Sequence, residues 1–224
     1  MNFTKLTIAL LCLISIIGCS HSHKKHHRQH HKMMTSLLIK NDWIKVQKIE
    51  LAPGKSREMH MGGPRIIVAL SDYQLQFEEK GSEAVEKNWK RGQIHWHEGN
   101  PHSIANTGST PARFLILTRL GDLPHNDGTA HLDQKGHSPA LLENDWVKVT
   151  EVNMKPGQQL PKHPGAIRAI VSLSDYEILY NSNCIKNRKS KFKSESVHLH
   201  EADEHSLKNI GTTDAIFLIV QFTF

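Results

Sequence analysis

The stretch Asn41-Asp-Trp-Ile-Lys-Val-Gln-Lys-Ile-Glu-Leu-Ala-Pro-Gly54 decides the fold, because the chain contains two versions of it. The second version begins at Asn144 and ends at Gly157, 103 residues further on. Further matches have the same offset: Ser71-Asp72-Tyr73 with Ser174-Asp175-Tyr176, Asn106 with Asn209, and Gly108 with Gly211. No gap is needed from Leu38 onward and about a third of the aligned positions are identical, which indicates an internal duplication.

Both copies have the pattern of short β-strands separated by turns. In residues 43–51 the side chains alternate, which places Trp43, Ile49 and Leu51 on one side of a strand. Pro53-Gly54 predicts a turn. The other strands predicted for the first copy are 65–70, 73–77, 93–97 and 113–118, and the second copy ends on the apolar stretch 215–224. No long stretch has a helical period with caps. We therefore predict an all-β chain, with each copy a small antiparallel barrel or sandwich.

The N-terminus has the pattern of an export signal. Lys5 precedes an apolar run of residues 6–17, which is shorter than the roughly 20 residues of a membrane-spanning helix and fits a secretory signal peptide. The run ends at Gly18, and Ile16-Ile17-Gly18-Cys19 resembles a bacterial lipobox. We expect residues 1–18 to be removed and Cys19 to carry lipid, with plain secretion or an uncleaved segment as alternatives. The protein would then be exported and periplasm-facing, in the outer membrane if the cell is Gram-negative.

Residues 19–37 are predicted to form a disordered tether. Residues 21–32 contain six of the 17 histidines and four Lys or Arg, but no acid and almost nothing apolar. The tether could bind metal loosely, hold against anionic headgroups, or act as a solvated spacer. Signal and tether carry five of the 28 basic residues and none of the 22 acidic ones, so the rest is nearly neutral. The charge therefore gives no support for a nucleic-acid partner.

The predicted domains follow from the repeat. The first unit covers residues 38–121 and the second covers residues 140–224. Residues 122–139 between them are rich in Gly, Pro, Asp and His, and are predicted to form a linker. Of the three cysteines, Cys12 leaves with the signal and Cys19 carries lipid, so Cys184 stands alone and the fold must be stable without disulfides.

Two spaced motifs resemble those of the cupin superfamily. Gly54-x5-His60 resembles the start of the first cupin motif, and Glu98-Gly-Asn-Pro-His102-x3-Asn106 resembles the second. The second copy gives Gly157-x5-His163 and Glu201-x3-His205-x3-Asn209. The resemblance covers nearly all of residues 38–224, and implies a bicupin with two tandem jelly-roll-like barrels in which the motif histidines bind a metal.

The first motif departs from the cupin pattern in both copies. The second histidine of the motif is replaced by Gly62 and Gly165, and no glutamate follows at the usual place. His95 and His97 stand two apart in one strand, share a face, and could compensate. The candidate metal ligands are His60, His95, His97, His102, His163, His198, His200 and His205. An all-imidazole set favours Zn, Cu, Ni or Fe, whereas histidines on the outer face would be the alternative.

Two further pairs of charged residues recur in the copies. Glu98 and Glu201 could orient an imidazole or act as a general base, or could be exposed turn residues. Arg65 and Arg168 could contact an anionic ligand if they point inward, or lie at the rim if they do not.

The leading hypothesis is a membrane-anchored bicupin lipoprotein that binds a divalent metal, a small-molecule ligand, or both. The alternatives are a metal-dependent enzyme, such as a dioxygenase-like oxidoreductase or an isomerase, and a non-catalytic envelope protein with degenerate barrels. The missing motif ligands favour binding over catalysis. Because related small barrels pair through sheet edges, a homodimer is also expected.

The lipoprotein hypothesis predicts that Cys19→Ala abolishes palmitate incorporation, because the lipid is attached to this sulfur. Metabolic labelling measures the effect, and globomycin should reproduce it by blocking signal removal. Cys12→Ala is the matched control and should label normally. Labelling that survives Cys19→Ala would contradict the hypothesis.

Overall fold

A computed structural model describes residues 33–121 and 140–222. All regular elements in these ranges are β-strands. The predicted signal peptide, Cys19, most of the predicted tether and the predicted linker lie outside the described residues. No helix among the described residues is long and apolar enough to span a membrane.

The first barrel consists of two antiparallel sheets. A five-stranded sheet has the order β1-β2-β9-β4-β7, and a four-stranded sheet has the order β3-β8-β5-β6. The strands are β1 Met34–Lys40, β2 Ile44–Leu51, β3 Ser56–His60, β4 Arg65–Ala69, β5 Tyr73–Glu79, β6 Val85–Trp89, β7 Ile94–His97, β8 His102–Asn106 and β9 Ala112–Arg119.

The second barrel repeats this topology. Its sheets have the orders β10-β11-β18-β13-β16 and β12-β17-β14-β15. The strands are β10 Ala140–Glu143, β11 Val147–Met154, β12 Gln159–Gly165, β13 Arg168–Ser172, β14 Tyr176–Ser182, β15 Arg188–Phe192, β16 Val197–His200, β17 Asp203–Asn209 and β18 Ala215–Phe222. The predicted all-β architecture of two tandem units is confirmed.

The predicted strands are present, but the sequence pattern missed others. Strand β1 begins at Met34, four residues before the predicted start of the barrel, because Met34–Leu37 pair with Gln47–Glu50 of β2. Strands β3, β6 and β8 were also missed. Most residues of β3 and β6 are exposed, so their side chains carry little apolar alternation. Strand β8 is partly buried, but its sequence His-Ser-Ile-Ala-Asn does not alternate between polar and apolar residues.

Each five-stranded sheet is buried on both faces. In β4, Ile66 and Val68 pack into a cluster that also contains Val149 and Val220 of the second barrel. Ile67 and Ala69 point into the first barrel instead. Successive strand residues point to opposite faces, so burial of both faces explains why β4 and β13 are almost entirely apolar.

A carboxylate from the second barrel also connects the two barrels. Glu195 lies 2.5 Å from both Nζ of Lys48 and Nη2 of Arg113. It has a φ of 69° where the first copy has Gly92 with a φ of 86°. A left-handed conformation is unfavourable for a residue other than glycine, so the two ion pairs stabilise a turn that the Glu195 backbone disfavours.

The repeated asparagine closes the same turn in each barrel. Asn106 is 1% exposed and donates from Nδ2 to the carbonyls of Leu51 and Thr110, while its Oδ1 accepts from the backbone of Gly108. Asn209 makes the equivalent three hydrogen bonds in the second barrel. One side chain therefore ties together three backbone segments.

We expect Asn106→Ala or Asn209→Ala to destabilise the protein by about 2–4 kcal/mol, because buried carbonyls lose their donors. The melting temperature should fall by roughly 5–15 °C, measured by circular dichroism. Asn88→Ala, on the exposed strand β6, is the control and should change little. Equal melting temperatures for Asn106→Ala and Asn88→Ala would refute this role.

Candidate ligand sites in the two barrels

The pairing register brings the motif residues of each barrel together. His60 of β3 lies directly opposite His102 of β8, after a register shift between Arg57 and His60. Arg65 of β4 lies opposite His97 of β7. The two pairs belong to the two different sheets, so the site forms where the sheets face each other.

The second barrel has the same register. His163 pairs with His205, and Arg168 pairs with His200. Both sites therefore come from strand pairing and strand parity, which the duplication preserves.

All eight predicted histidines line the barrel cavities rather than the outer face. The first cavity has a volume of about 180 Å³ and contains His60, His95, His97 and His102. The second has a volume of about 400 Å³ and contains His163, His198, His200 and His205. The shared face predicted for the two histidines of β7 is present.

The histidines do not all play the same part. In the first barrel the rings of His60 and His97 lie 4.2 and 4.3 Å from the ring of His102, between centroids. His95 instead stacks on Trp89 at 4.0 Å. In the second barrel His198 stacks in the same way on Phe192. Each cavity therefore has one histidine held by an aromatic wall and three nearer the arginine.

A buried guanidinium lies among the histidines of the first barrel. Arg65 is 6% exposed, donates from Nη1 to the carbonyl of Gly63, and donates from Nη2 to Nε2 of His102 at 3.1 Å. A Cβ atom at Gly62 would overlap this guanidinium. The glycine at the position of the missing motif histidine therefore makes room for the arginine.

The second barrel has the same combination of a buried arginine and a glycine in the place of the second motif histidine. Arg168 is 3% exposed, donates to the carbonyl of Ala166, and has Nη2 3.1 Å from Nε2 of His205. A Cβ at Gly165 would lie 2.5 Å from Nη1 of Arg168. Both arginines point inward, as an anion contact requires, and neither lies at the rim.

Four of the cavity imidazoles, those of His95, His97, His198 and His200, are neutral near pH 7. Burial, with a contribution from Arg65, lowers the pKa of His97 to about 3, and burial lowers the pKa of His95 to about 4. Burial and Arg168 lower the pKa of His200 to about 3 and that of His198 to about 4. The positive charge at the centre of each site is therefore carried by arginine.

The first barrel contains two buried donors without an acceptor. The backbone N–H of Gly99 donates to Nδ1 of His97 at 3.0 Å, so the proton of this neutral ring lies on Nε2. That Nε2 is buried and has no hydrogen-bond partner, and neither has Nε of Arg65. Unsatisfied buried donors are costly, so both groups are suited to an acceptor on a ligand.

The residues in this arrangement do not fit a divalent metal. In both barrels the guanidinium engages Nε2 of the second-motif histidine, and Nε2 of His97 carries a proton rather than a free lone pair. A cation there would also face the arginine charge. No group of three or more His, Cys, Asp or Glu side chains in the described ranges has the geometry of a metal site.

The two glutamates do not contact the histidines in the roles considered from sequence. Glu98 is exposed and accepts from the indole N–H of Trp96 at 2.7 Å. Glu201 is also exposed, and its backbone carbonyl faces Nη1 of Arg168 at 3.4 Å. The exposed-turn alternative describes both residues.

Two residues of the second site were missed by the sequence interpretation. Asp203 has Oδ1 2.9 Å from Nδ1 of His205 and 3.7 Å from Nη2 of Arg168. The hydroxyl of Tyr180 donates to its other oxygen, and burial together with Asp203 raises the pKa of Tyr180. Their counterparts in the first copy are Asn100 and Phe77, so a search for differences between the copies would have found them.

Comparisons with known proteins identify the architecture. No family model matches the chain, and no curated protein matches it. Among solved structures, AerE from Microcystis aeruginosa is 20% identical with a TM-score of 0.65, over 88% of this chain and 95% of that chain.

Two further solved structures that are similar to this chain are a cupin protein and an oxalate decarboxylase. A cupin 2 conserved barrel domain protein from Leptotrichia buccalis is 13% identical with a TM-score of 0.57, over 86% of this chain and 90% of that one. The formate complex of Lactobacillus farciminis oxalate decarboxylase is 13% identical with a TM-score of 0.58, over 86% of each chain. Such identities show the fold and not the activity. The chain has the bicupin fold, with two cupin barrels in tandem.

Proposed function

We propose that this protein is a lipid-anchored bicupin of the cell envelope that binds small molecules in its barrel cavities, anionic ones foremost in the first. The observation that carries the proposal is the guanidinium of Arg65, which is 6% exposed and lines the first cavity. An arginine removed from water is stabilised by charge-assisted hydrogen bonds, and carboxylates supply the strongest of these.

The walls of the cavities support a binding role. Apart from the arginine and histidines, the first cavity is lined mainly by apolar and aromatic side chains, among them Ile67, Leu75 and Phe114. The second is lined similarly, by Ile170, Ile178 and Phe217. An apolar cavity with a few convergent polar groups at one end is the usual form of a small-molecule site.

Metal binding is the second candidate, favoured by the four histidines in each cavity. Zn, Cu, Ni or Fe would need Nε2 of His102 or His205, so the guanidinium would first have to move away. Bound metal with an open position would support the alternative of a metal-dependent oxidoreductase or isomerase. A chain that binds neither metal nor ligand would instead be a degenerate envelope protein.

The place of the protein in the cell rests on the sequence. Lipid on Cys19 would hold the bicupin at the membrane, facing the periplasm, and in the outer membrane if the cell is Gram-negative. Homodimer formation stays a prediction.

A thermal-shift screen tests binding. The protein used is the full chain with Cys19→Ala and with the six tether histidines changed to Gln, which removes a competing metal site. We expect small carboxylates to raise the melting temperature by several degrees at concentrations far above Kd, because they bind only the folded state. Zn, Cu, Ni and Fe should bind well below one equivalent per barrel, as measured by metal analysis.

Matched variants separate the two candidates. Arg65→Ala should weaken carboxylate binding and increase metal uptake, because it frees His102 and removes a positive charge. Near-stoichiometric metal in the unsubstituted barrels, lost in His60→Ala with His102→Ala, would instead establish the metal candidate. If no carboxylate, uncharged molecule or metal binds, the binding proposal fails.

The low histidine pKa values predict a fold that is weakened by mild acid. The unfolded chain has histidines with a pKa near 6.5, whereas His97 and His200 have values of about 3 in the fold. The unfolded state therefore binds more protons below pH 6.5, and the stabilising contribution is lost as the pH falls toward the folded values. Each such histidine adds up to about 1.4 kcal/mol per pH unit.

Melting temperatures between pH 7.5 and pH 5 measure this effect. We expect a plateau above pH 6.5 and a progressive fall below it. His97→Gln and His200→Gln should each make the fall shallower, whereas Gln in place of the tether histidines should leave the profile unchanged. A melting temperature that stays constant down to pH 5 would be inconsistent with buried neutral imidazoles.

A further inference from the structure

The duplication places two versions of one site in a single chain, and the versions differ in a carboxylate. The second barrel has Asp203 where the first has Asn100, at the repeat offset. The residue that hydrogen-bonds to Asp203, Tyr180, is replaced by Phe77 in the first barrel. The backbone carbonyl of Asn100 still accepts from Nδ1 of His102 at 2.8 Å. The first barrel therefore keeps the backbone contact to the motif-two histidine but has no carboxylate at this position.

In the second barrel the arginine charge has an internal counter-charge. Asp203 lies 3.7 Å from Nη2 of Arg168 and acts against the lowering of the pKa of Arg168 by burial. Asp203 thus offsets part of the arginine charge from within the second barrel.

In the first barrel the equivalent guanidinium has no such counter-charge. No carboxylate in the described ranges forms an ion pair with Arg65, and Arg57 lowers its pKa further. Arg57 and Lys87 line the first cavity where the second barrel has Leu160 and Ser190, whereas Arg188 lines the second cavity where the first barrel has Val85. The first cavity is therefore the more cationic of the two at its arginine.

Two carboxylates line the first cavity, those of Glu79 and Glu98, and neither forms an ion pair with Arg65. Glu98 is exposed and bound by Trp96. Glu79 lies at the end of β5, half-buried, opposite His102 in the strand register, and forms no ion pair with Arg65. Neither residue occupies the place that Asp203 has in the second barrel.

The two unpartnered donors complete a receptor for an acceptor group. Nε of Arg65 and Nε2 of His97 are buried without partners, on residues that are paired across β4 and β7. The proton on His97 Nε2 is fixed by Gly99, which has a φ of 97° and packs against the backbone of Gly62. The second copy has Ala202 at this position.

The size and walls of the first cavity limit the rest of the ligand. The first cavity, with a volume of about 180 Å³, is less than half as large as the second, with about 400 Å³, which favours a small ligand. Phe77, Trp89 and Phe114 line the first cavity, so the body of the ligand is apolar or aromatic.

We propose that the first barrel is a selective site for a small carboxylate with an apolar body, and that Asp203 closes the second barrel to such anions by giving Arg168 an internal counter-charge. This inference rests on the proposed ligand-binding function and names its ligand class. Arg65 and His97 are the residues that contact the carboxylate.

Titration calorimetry on the Cys19→Ala protein tests the inference, with benzoate, phenylacetate and butyrate as probes and their amides as neutral partners. We expect at least one of the acids to bind with a stoichiometry of one per chain and tighter than its amide. Arg65→Gln should weaken binding of that acid about tenfold to a hundredfold, because a charge-assisted contact is lost. Arg168→Gln should leave its affinity within about twofold.

The exchange of Asn100 and Asp203 provides the sharper test and leaves both arginines in place. Asn100→Asp should close the first barrel, and the acid should no longer bind. Asp203→Asn should open the second barrel and raise the stoichiometry from one to two. Circular dichroism establishes that each variant is folded.

The outcomes separate this inference from the proposed function. Binding of uncharged molecules without any preference for an acid over its amide would overturn the carboxylate site and leave the binding function standing. Acid binding that is lost in Arg168→Gln, or that persists unchanged in Asn100→Asp, would also overturn it. A protein that binds none of the screened molecules would overturn both.

Discussion

The five-stranded sheet of each barrel must bury both of its faces, and the rest of the structure depends on this constraint. One face closes the barrel interior and the other packs against the second barrel, so Ile66 and Ile67 are both fully enclosed although they point in opposite directions. A sheet in this position needs nearly continuous apolar strands. Strands β4 and β13 of these sheets carry the arginines that line the two cavities.

Strand parity then decides which side chains of the five-stranded sheet point into the cavity. Arg65 has the parity of Ile67, so it points into the barrel, and it pairs with His97 on the neighbouring strand. The guanidinium needs space that a side chain at position 62 would take, which links the glycine and the arginine as one change. Their joint recurrence as Gly165 and Arg168 indicates that the arginine-centred site was already present in the unit that was duplicated. With an arginine at the centre of each site, the histidines around it act as neutral hydrogen-bond donors and acceptors and not as metal ligands.

On a shared backbone frame, the two barrels differ at several positions around the guanidinium. The backbone geometry, the asparagine turn and the stacked histidine are common to both. The main difference in charge is the carboxylate of Asp203 beside the guanidinium of the second barrel. The cavities also differ in volume, with about 400 Å³ in the second barrel and about 180 Å³ in the first. A duplicated barrel can therefore change the charges in its cavity without altering its fold, because Asn100 and Asp203 occupy equivalent positions in the same sheet topology.

The amino-acid sequence was sufficient to predict the duplication, the all-β class and eight candidate histidines, but not that these histidines point into the barrels. These features rest on local periodicity and on exact recurrence, such as Asn41-Asp42-Trp43 in both copies. It could not determine strands β3 and β6, because exposed edge strands carry little apolar pattern. Only the tertiary structure decided that Arg65 and Arg168 point inward, since the face that a strand presents depends on which partner covers each side. The pairing of Asp203 with Arg168 was likewise a tertiary result, because it joins residues 35 positions apart whose proximity follows from sheet register and from no local signal.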